Sequence, residues 1–458
     1  MEPIRSTFGW RPDQMEGLNF LNEATYRYPG AVSFVAGRPA DRLVSVRACY
    51  SWLSELSKYW RTKNKIENDA FWHQLGQYSA TAGIICEILA KHLERDEGFR
   101  VSANSIVVTN GCQEAMFLTL LALFDRDRDV LLVQDPAYVG IIGSAAIAGV
   151  SVWPIPENEE LSAYLDFAVD QASKRNRRIR AIYLVPDHSN PTGSSLSESQ
   201  RSALLERANR NDVYVIEDNP YRSICFSAEK IPTLKLLDQA AGGNRVIYLG
   251  SFSKCLMPGL RIGYVVADSL RQQITGETEL LANELGRIKS FVSLTTSPVL
   301  QAMVGGLLVK AGFSLSTSNE KRSAFYRERR DTMLEALEKA FRRETREGVI
   351  SWSRPEGGFF VRMRVPQNFL MKDALECASQ FHVIACPMDL FSLSGSHQKE
   401  IRLSYSNTGQ AEIRAGIRRL AEYLKKRMNQ LPISRGRRSS RPNQTVSCNI
   451  RTCDLPQM

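Results

Sequence analysis

The chain has 458 residues, 43% of them hydrophobic and 24% charged, a composition that excludes disorder over the whole length and suits a large core with a smaller second domain. The net charge of +10 does not imply a nucleic-acid partner, because six arginines near the C-terminus carry much of it. Nine scattered cysteines without a C-x-x-C pair, no run of roughly 18 apolar residues and no signal-peptide pattern indicate a soluble cytoplasmic protein with no membrane partner.

Short β-branched runs alternate with helical patterns between about residues 105 and 270. The predicted strands are residues 105–109, 130–134, 181–185, 213–217, 245–249 and 262–266. Near-continuous apolar strands separated by helices indicate a mainly parallel sheet that is covered on both faces. Ligands of such sheets bind beyond the carboxyl ends of the strands.

The pattern changes after about residue 310. A long charged helix is predicted from Asn319 to Arg343, and a closing amphipathic helix from Ala411 to Arg427. We predict four segments: an N-terminal arm and small-domain segment (1–45), a large ligand-binding domain (46–310), a C-terminal small domain (311–430) and a disordered basic tail (431–458). The tail has no periodicity, so a solvated end is favoured over an arm that binds a polyanion.

A lysine follows a predicted strand in Gly250-Ser-Phe-Ser-Lys254. Alone it could be a surface lysine in a turn, and no Walker motif is present because no glycine precedes Lys254. At the edge of a parallel sheet, its amine can form an imine, or Schiff base, with an aldehyde cofactor. Ser251, Ser253 and Arg261 then supply two hydroxyls and a guanidinium for a phosphate.

A carboxylate and a phenol follow another predicted strand, in Glu217-Asp-Asn-Pro-Tyr221. A pyridine ring that withdraws electrons needs a protonated nitrogen, which a buried carboxylate maintains through a charge-assisted hydrogen bond. Asp218 fits this role, and Tyr221 could donate to the phenolic oxygen of the ring. Standing alone, the motif would indicate only an acidic loop residue near a core tyrosine.

Two further turns point to the same ligand. Asn190, in an Asn-Pro-Thr-Gly turn, would present an amide N–H to that phenolic oxygen, although such turns also occur as plain loops. Gly111, Cys112 and Gln113 begin a helix after a strand, and helix N-termini bind phosphate through free N–H groups. Tyr138 could stack on the pyridine face or simply belong to the core.

The order of these motifs resembles the class I/II aminotransferases of pyridoxal-5′-phosphate (PLP) fold type I, and most of all their aminoadipate and aromatic branch. The resemblance covers roughly residues 20 to 425, from Gly-Cys-Gln-Glu-Ala through Gly-Ser-Phe-Ser-Lys to Pro-Gly-Leu-Arg-Ile-Gly-Tyr. It implies an α/β fold, in which a large PLP-binding domain has a mainly parallel seven-stranded sheet. It also implies a smaller α+β domain built from the C-terminal part and the N-terminal segment. The cofactor would be PLP, and no metal is expected.

The resemblance also implies residues that bind the substrate and a second subunit. Arg402 matches the arginine that binds the α-carboxylate, a task to which the guanidinium fork is suited. Gly37 matches a substrate-side loop, Arg38 beside it is a candidate for specificity, and Asn190 also lies on the substrate side. Tyr78 matches a tyrosine that reaches the phosphate from the neighbouring subunit, which implies a homodimer with shared active sites.

The chain departs from the family pattern at several positions. Cys112 stands where a hydroxyl residue is usual, so one phosphate hydrogen bond should be weaker. Ile88-Leu-Ala-Lys91 replaces the usual leucine-arginine pair, and Pro387-Met-Asp-Leu-Phe391 replaces a proline-glycine turn. The last two bear on the identity of the substrate rather than on the cofactor.

We therefore predict an enzyme that moves an amino group from an L-amino acid, aromatic or otherwise specialised, to a 2-oxo acid by a ping-pong route. Lys254, Asp218 and Tyr221 are the predicted catalytic residues. The alternatives are decarboxylation, lyase chemistry or oxygen-dependent oxidation on the same scaffold, because the motifs indicate the cofactor and not which bond to Cα breaks. A regulatory domain fused to a DNA-binding module is disfavoured, since no helix-turn-helix precedes the motifs.

Overall fold

The computed structural model describes Phe20 and residues 23–24, 26–65, 67–227, 229–273 and 275–430. The predicted tail, 431–458, and residues 1–19 of the predicted N-terminal segment lie outside these residues.

The α-helices of the described chain are α1 (Val46–Asn64), α2 (Asn68–Leu75), α3 (Cys86–Asp96), α4 (Cys112–Leu123), α5 (Val139–Ala148), α6 (Leu161–Lys174), α7 (Glu198–Arg210), α8 (Leu234–Ala240), α9 (Leu281–Val292), α10 (Pro298–Lys310), α11 (Ser316–Ala340), α12 (Arg342–Arg346), α13 (Met371–Gln380) and α14 (Gln410–Asn429). Its strands are β1 (Val32–Ser33), β2 (Ile106–Asn110), β3 (Asp129–Gln134), β4 (Ser151–Ile155), β5 (Arg178–Leu184), β6 (Tyr214–Asp218), β7 (Val246–Ser251), β8 (Ile262–Val266), β9 (Leu270–Gln272), β10 (Thr278–Leu280), β11 (Ser351–Trp352), β12 (Phe360–Arg364), β13 (Val383–Ile384), β14 (Cys386–Pro387) and β15 (Glu400–Ser404).

The largest sheet has seven strands in the order β2-β8-β7-β6-β5-β3-β4. Only β8 runs antiparallel to its neighbours in this sheet, so the predicted mainly parallel seven-stranded sheet is confirmed. The six predicted strands correspond to β2, β3, β5, β6, β7 and β8 within a few residues. The edge strand β4 was not predicted, because its residues are mostly half-buried and Pro154 interrupts the β-branched pattern.

Both faces of this sheet are buried, as the near-continuous apolar strands require. Along β3, Leu131 and Val133 pack on one face with residues of α4, α5 and α9. Val130 and Leu132 pack on the other face with residues of α6 and α7. This alternation follows from the two-residue period of a strand. Helices on both faces leave the carboxyl edge of the sheet as the place where a ligand can enter.

A second core lies around a four-stranded sheet in the order β11-β12-β15-β14. The long helix α11 and the closing helix α14 pack on it, close to their predicted ranges. The N-terminal segment joins this core, since β1 pairs in parallel with β13 and Phe34 is fully buried there. A smaller α+β unit built from both ends of the chain is therefore confirmed, while the domain boundaries at residues 45, 310 and 430 stay a prediction.

None of the helices in the described part of the chain combines the length and the apolar character needed to cross a bilayer.

Candidate active site

A cavity of about 240 Å³ lies at the carboxyl ends of β2, β5, β6 and β7. It also reaches the N-terminal segment and the four-stranded sheet. The predicted site residues that line it are Gly37, Cys112, Gln113, Tyr138, Asn190, Asp218, Tyr221, Ser251, Ser253, Lys254, Arg261 and Arg402. Tertiary folding thus brings together residues from both ends of the chain at the edge where parallel sheets bind ligands.

The amine of Lys254 lies inside this cavity and donates a hydrogen bond to the backbone oxygen of Gly37 at 2.8 Å. Burial lowers the pKa of Lys254 to about 8, and the positive charges of Arg402 and Arg261 act in the same direction. Asp218 opposes them. A substantial fraction of this amine is therefore neutral near pH 7, as a nucleophile requires.

Asp218 ends β6, and both of its carboxylate oxygens accept hydrogen bonds. Cys112 Sγ donates to Oδ1 at 3.1 Å, and the Tyr183 hydroxyl donates to Oδ2 at 2.6 Å. Burial raises the pKa of Asp218 to about 6, against the effect of these two donors and of the positive charge on Lys254. The Cys112 side chain therefore contacts a carboxylate. The sequence had predicted instead that this side chain makes a weakened hydrogen bond to the phosphate.

Tyr183 was missed as a site residue, although it stands in a motif that the sequence singled out. Tyr183 on β5 is paired with Ile216 on β6, and Asp218 follows two residues later on the same face of the sheet. Its proximity to Asp218 depends on β5 and β6 being neighbours, which the sequence does not state.

The residues predicted to bind phosphate surround Arg261. Its Nη2 donates to the backbone oxygen of Asn110 at 3.1 Å. A Cβ on Gly111 would stand 2.2 Å from that Nη2, so glycine is needed there for close approach, and its φ of 78° also favours glycine. Gly111 thus supports the cavity wall at the start of α4. Ser251 Oγ accepts from the backbone N–H of Ser253 at 3.2 Å, which orders the hydroxyls beside Lys254.

Gln113 and Tyr138 form a linked pair on another wall. Gln113 Nε2 donates to the Gly140 oxygen at 2.9 Å and to Ser144 Oγ at 2.7 Å, and the Tyr138 hydroxyl lies 3.4 Å from Gln113 Oε1. Burial raises the pKa of Tyr138 to about 12. The side chain of Gln113 is thus occupied with α5, which leaves its backbone N–H for a ligand.

Arg402 is only 3% exposed and also lines the cavity. It donates to Asn190 Oδ1 at 2.7 Å and to the Val35 oxygen at 2.6 Å. Its guanidinium lies 4.5 Å from the Phe360 ring centroid and 4.6 Å from that of Phe391. Its Nε is buried and has no hydrogen-bond partner among the described residues.

Tyr221 is the remaining predicted catalytic residue. It is 3% exposed, and burial raises the pKa of its phenol. Asn190 hydrogen-bonds to the Tyr221 side chain as well as to Arg402, so these three residues form one polar group in the cavity.

Tyr78, unlike most of the predicted site residues, lies away from the cavity. It is 82% exposed and lines a separate surface cavity with residues such as Trp60, His73 and Pro298.

Several apolar residues of the cavity were missed from the sequence: Val35, Met116, Val139, Val185, Pro220, Pro258 and Phe360. Apolar residues here carry no signal that separates them from core residues. No group of three or more His, Cys, Asp or Glu side chains that could hold a metal ion occurs in the described part of the chain.

The seven-stranded sheet, with a lysine, a carboxylate and two arginines around one cavity at its carboxyl edge, defines an α/β enzyme of PLP fold type I architecture. Residues 59–420 match the family model described as "Aminotransferase class I and II". The chain therefore belongs to the class I and II aminotransferases.

Named relatives agree with this family. The (S)-3,5-dihydroxyphenylglycine transaminase of Amycolatopsis orientalis is 37% identical over 90% of this chain and 92% of its own length. Aromatic-amino-acid aminotransferase 1 of Thermococcus litoralis is 30% identical over 81% and 84%. The α-aminoadipate aminotransferase of Thermus thermophilus, solved with N-(5′-phosphopyridoxyl)-L-leucine, superposes with a TM-score of 0.71 at 28% identity over 91% and 98%.

The predicted resemblance to the aminoadipate and aromatic branch is thus confirmed, and so is the predicted enzyme class, an aminotransferase. Enzymes of this family transfer an amino group between an amino acid and a 2-oxo acid, and nothing in these relatives supports a decarboxylase, lyase or oxidase.

Proposed function

We propose that this enzyme binds PLP at Lys254 and moves an amino group from an aromatic or other apolar L-amino acid to a 2-oxo acid by a ping-pong route. The observation that carries the proposal is the convergence of Lys254, Asp218, Arg261 and Arg402 on one cavity. Each of these four side chains suits a different group of the cofactor or substrate.

The donor set fits PLP group by group. An amine with a lowered pKa suits an aldehyde, a buried carboxylate suits a pyridine nitrogen, and a guanidinium beside a helix N-terminus suits a phosphate dianion. When bound, PLP supplies an electron sink and a carrier for the amino group.

We assign the phosphate to Arg261, Ser251, Ser253 and the backbone N–H groups at Gly111, Cys112 and Gln113. The ring nitrogen is assigned to Asp218, the phenolic oxygen to Tyr221 and Asn190, and the ring face to Tyr138. All of these residues except Gly111 line the cavity, which supports the assignment.

Two side chains act on the substrate. Arg402 binds the α-carboxylate, and the position of its buried guanidinium on the cavity lining supports this role, because the guanidinium fork suits a planar carboxylate. Lys254 Nζ moves the proton of the substrate Cα, for which a pKa near the working pH is suited. Gly37 lets the substrate-side segment pack closely against the Phe360 ring, since a Cβ at this position would stand 2.5 Å from Cζ of Phe360.

The charges of the cavity favour an apolar side chain on the substrate. Its described cationic residues are Lys254, Arg261 and Arg402, and each already has a partner in the proposal. Arg38 is absent from the described lining, and its half-exposed side chain pairs with Asp41 at 3.7 Å. A second carboxylate on the substrate would therefore be buried without a described counter-charge, which is costly.

We also propose a homodimer with shared active sites. Large apolar side chains are exposed on this single chain at Tyr50, Trp72 and Phe291, the last of them 92% exposed. A second copy would cover such residues and could bring its own Tyr78 to the phosphate.

We place the enzyme in the cytoplasm. The seven described cysteines are free, which supports a reducing compartment.

A single-turnover experiment tests the reaction. The PLP-loaded enzyme, mixed with one amino acid and no acceptor, should yield one equivalent of 2-oxo acid and the pyridoxamine form of the cofactor. Phenylalanine and tyrosine should react faster than aspartate and glutamate. Carbon dioxide release, oxygen uptake or continuous ammonia production would refute transamination, and a preference for dicarboxylic donors would refute the proposed substrate class.

Light scattering and complementation test the dimer. Lys254→Ala and Tyr78→Phe chains, each with low activity, should regain activity when they are unfolded and refolded together, since one mixed site then has both residues. A monomeric mass, or mixtures no more active than their parents, would refute shared sites.

A further inference from the structure

Cys112 and Tyr183 act on the same carboxylate from two sides. Sγ of Cys112 and the hydroxyl of Tyr183 donate to different oxygens of Asp218, at 3.1 and 2.6 Å. Cys112 lines the cavity at the start of α4, whereas Tyr183, on β5, is 2% exposed and absent from the lining. Each oxygen of the carboxylate therefore accepts a hydrogen bond, one from a donor on α4 and the other from a donor on β5.

We propose that Cys112 and Tyr183 are positioning residues that hold Asp218 ionised and oriented toward the ring nitrogen of the cofactor. The inference rests on the proposed function, because it concerns the carboxylate that is assigned to that nitrogen. It also gives Cys112 a role other than phosphate binding, because its thiol supports the carboxylate that is assigned to the ring nitrogen of the cofactor.

The physical need for these donors follows from burial. A carboxylate removed from water is costly unless hydrogen bonds compensate for the lost hydration. Charge-assisted hydrogen bonds are the stronger ones, and each O–H or S–H here stabilises the ionised form of Asp218. The pKa of Asp218 is already raised to about 6, so the loss of a donor would raise it further.

Two donors also restrict the orientation of the carboxylate. Each oxygen keeps a second lone-pair direction for the ring N–H while the first is used by Cys112 or Tyr183. With one donor removed, the carboxylate can turn, and the proton shared with the ring nitrogen moves toward Asp218. A bound pyridine would then withdraw fewer electrons, and the pH at which the visible absorbance of the bound cofactor changes would rise.

The test uses the PLP-loaded enzyme and four variants. Cys112→Ala and Tyr183→Phe remove one donor each, Cys112→Ser restores a hydroxyl donor, and Tyr248→Phe alters a buried tyrosine of the same sheet that does not line the cavity. The readouts are the pH midpoint of the visible absorbance of the bound cofactor, and kcat separately from KM.

Tyr183→Phe and Cys112→Ala should raise the pH midpoint, by about one unit for Tyr183→Phe, and lower kcat about tenfold or more with little change in KM. Cys112→Ser, which restores a donor, should reverse most of the shift in midpoint that Cys112→Ala causes, and Tyr248→Phe should stay near wild type. The proposal is overturned if Tyr183→Phe behaves like Tyr248→Phe, or if Cys112→Ser behaves like Cys112→Ala, because the effect would then not come from donation.

A second measurement does not depend on the cofactor. The negative charge of Asp218 raises the pKa of the Cys112 thiol, in addition to burial. In the cofactor-free full-length chain, Asp218→Asn should therefore increase the rate at which a small alkylating reagent labels Cys112, followed by peptide mass spectrometry. An unchanged rate would overturn the contact between Cys112 and Asp218. If Asp218→Asn increases the labelling rate but the wild-type protein does not bind PLP, the contact between Cys112 and Asp218 is supported and the proposed function is refuted.

Discussion

The lowered pKa of Lys254 predicts how the capture of PLP depends on pH. Only the neutral amine has a lone pair for the aldehyde, so the rate of capture should follow the neutral fraction of Lys254. Cofactor-free enzyme is mixed with PLP between pH 7 and 10, where the phosphate, with a second pKa of about 6, stays a dianion. Stopped-flow absorbance then gives the rate constant at each pH.

The expected size of the effect follows from the pKa. With a pKa of about 8, about 10% of Lys254 is neutral at pH 7. An ordinary lysine, with a pKa of about 10.4, would be neutral in only about 0.04% of molecules, so the shift makes capture at pH 7 about 200-fold faster. The rate should rise about fivefold between pH 7 and 8, about twofold more by pH 9, and then level off.

A charge variant tests the cause of the shift. Arg402 is the cation that contributes most to lowering the pKa of Lys254, after burial itself. Arg402→Gln should therefore move the midpoint of the rate profile to higher pH, whereas Arg364→Gln, whose side chain is 67% exposed, should leave it in place. A rate that keeps rising tenfold per unit up to pH 10 in the wild type would refute the reasoning.

Three further substitutions test the site and the fold. Arg402→Lys should raise KM for every amino acid about 10- to 100-fold relative to Arg364→Lys, because it loses a bidentate pair of about 1.5–3 kcal/mol; an unchanged KM would place carboxylate binding elsewhere. Asp218→Asn should keep PLP bound but lose most turnover, since an amide cannot hold the ring nitrogen protonated; a kcat within a few-fold of wild type would contradict this. Arg201→Met should lower the free energy of unfolding by about 3 kcal/mol, because the buried Asp187 loses one of its two arginine partners, at 2.6 Å, and keeps only Arg222, while the Pro186 and Pro232 oxygens lose their donor. Denaturant titration measures this, and a loss below about 1 kcal/mol would count against it.

Much of the fold was predictable because its signals are local. The apolar runs of β3, β6 and β7 are buried on both faces, so their residues show the pattern without knowledge of their neighbours. The half-buried edge strand β4 lacks that pattern and was missed. The polar residues of the site were predictable for a similar reason, since Asp218 ends a strand and Lys254 follows one within three residues.

The sequence by itself determined the parallel sheet, the aminotransferase motifs and the residues that follow the strand ends, because these depend on residues close together in the chain. Tertiary structure alone decided which distant residues meet. Cys112 reaches Asp218 across 106 residues, and Arg402 reaches Val35 across 367. Such contacts depend on strand order, on side-chain rotamers and on the packing of two cores, and no local pattern encodes them. For that reason the thiol of Cys112 was expected at the phosphate and lies at the carboxylate.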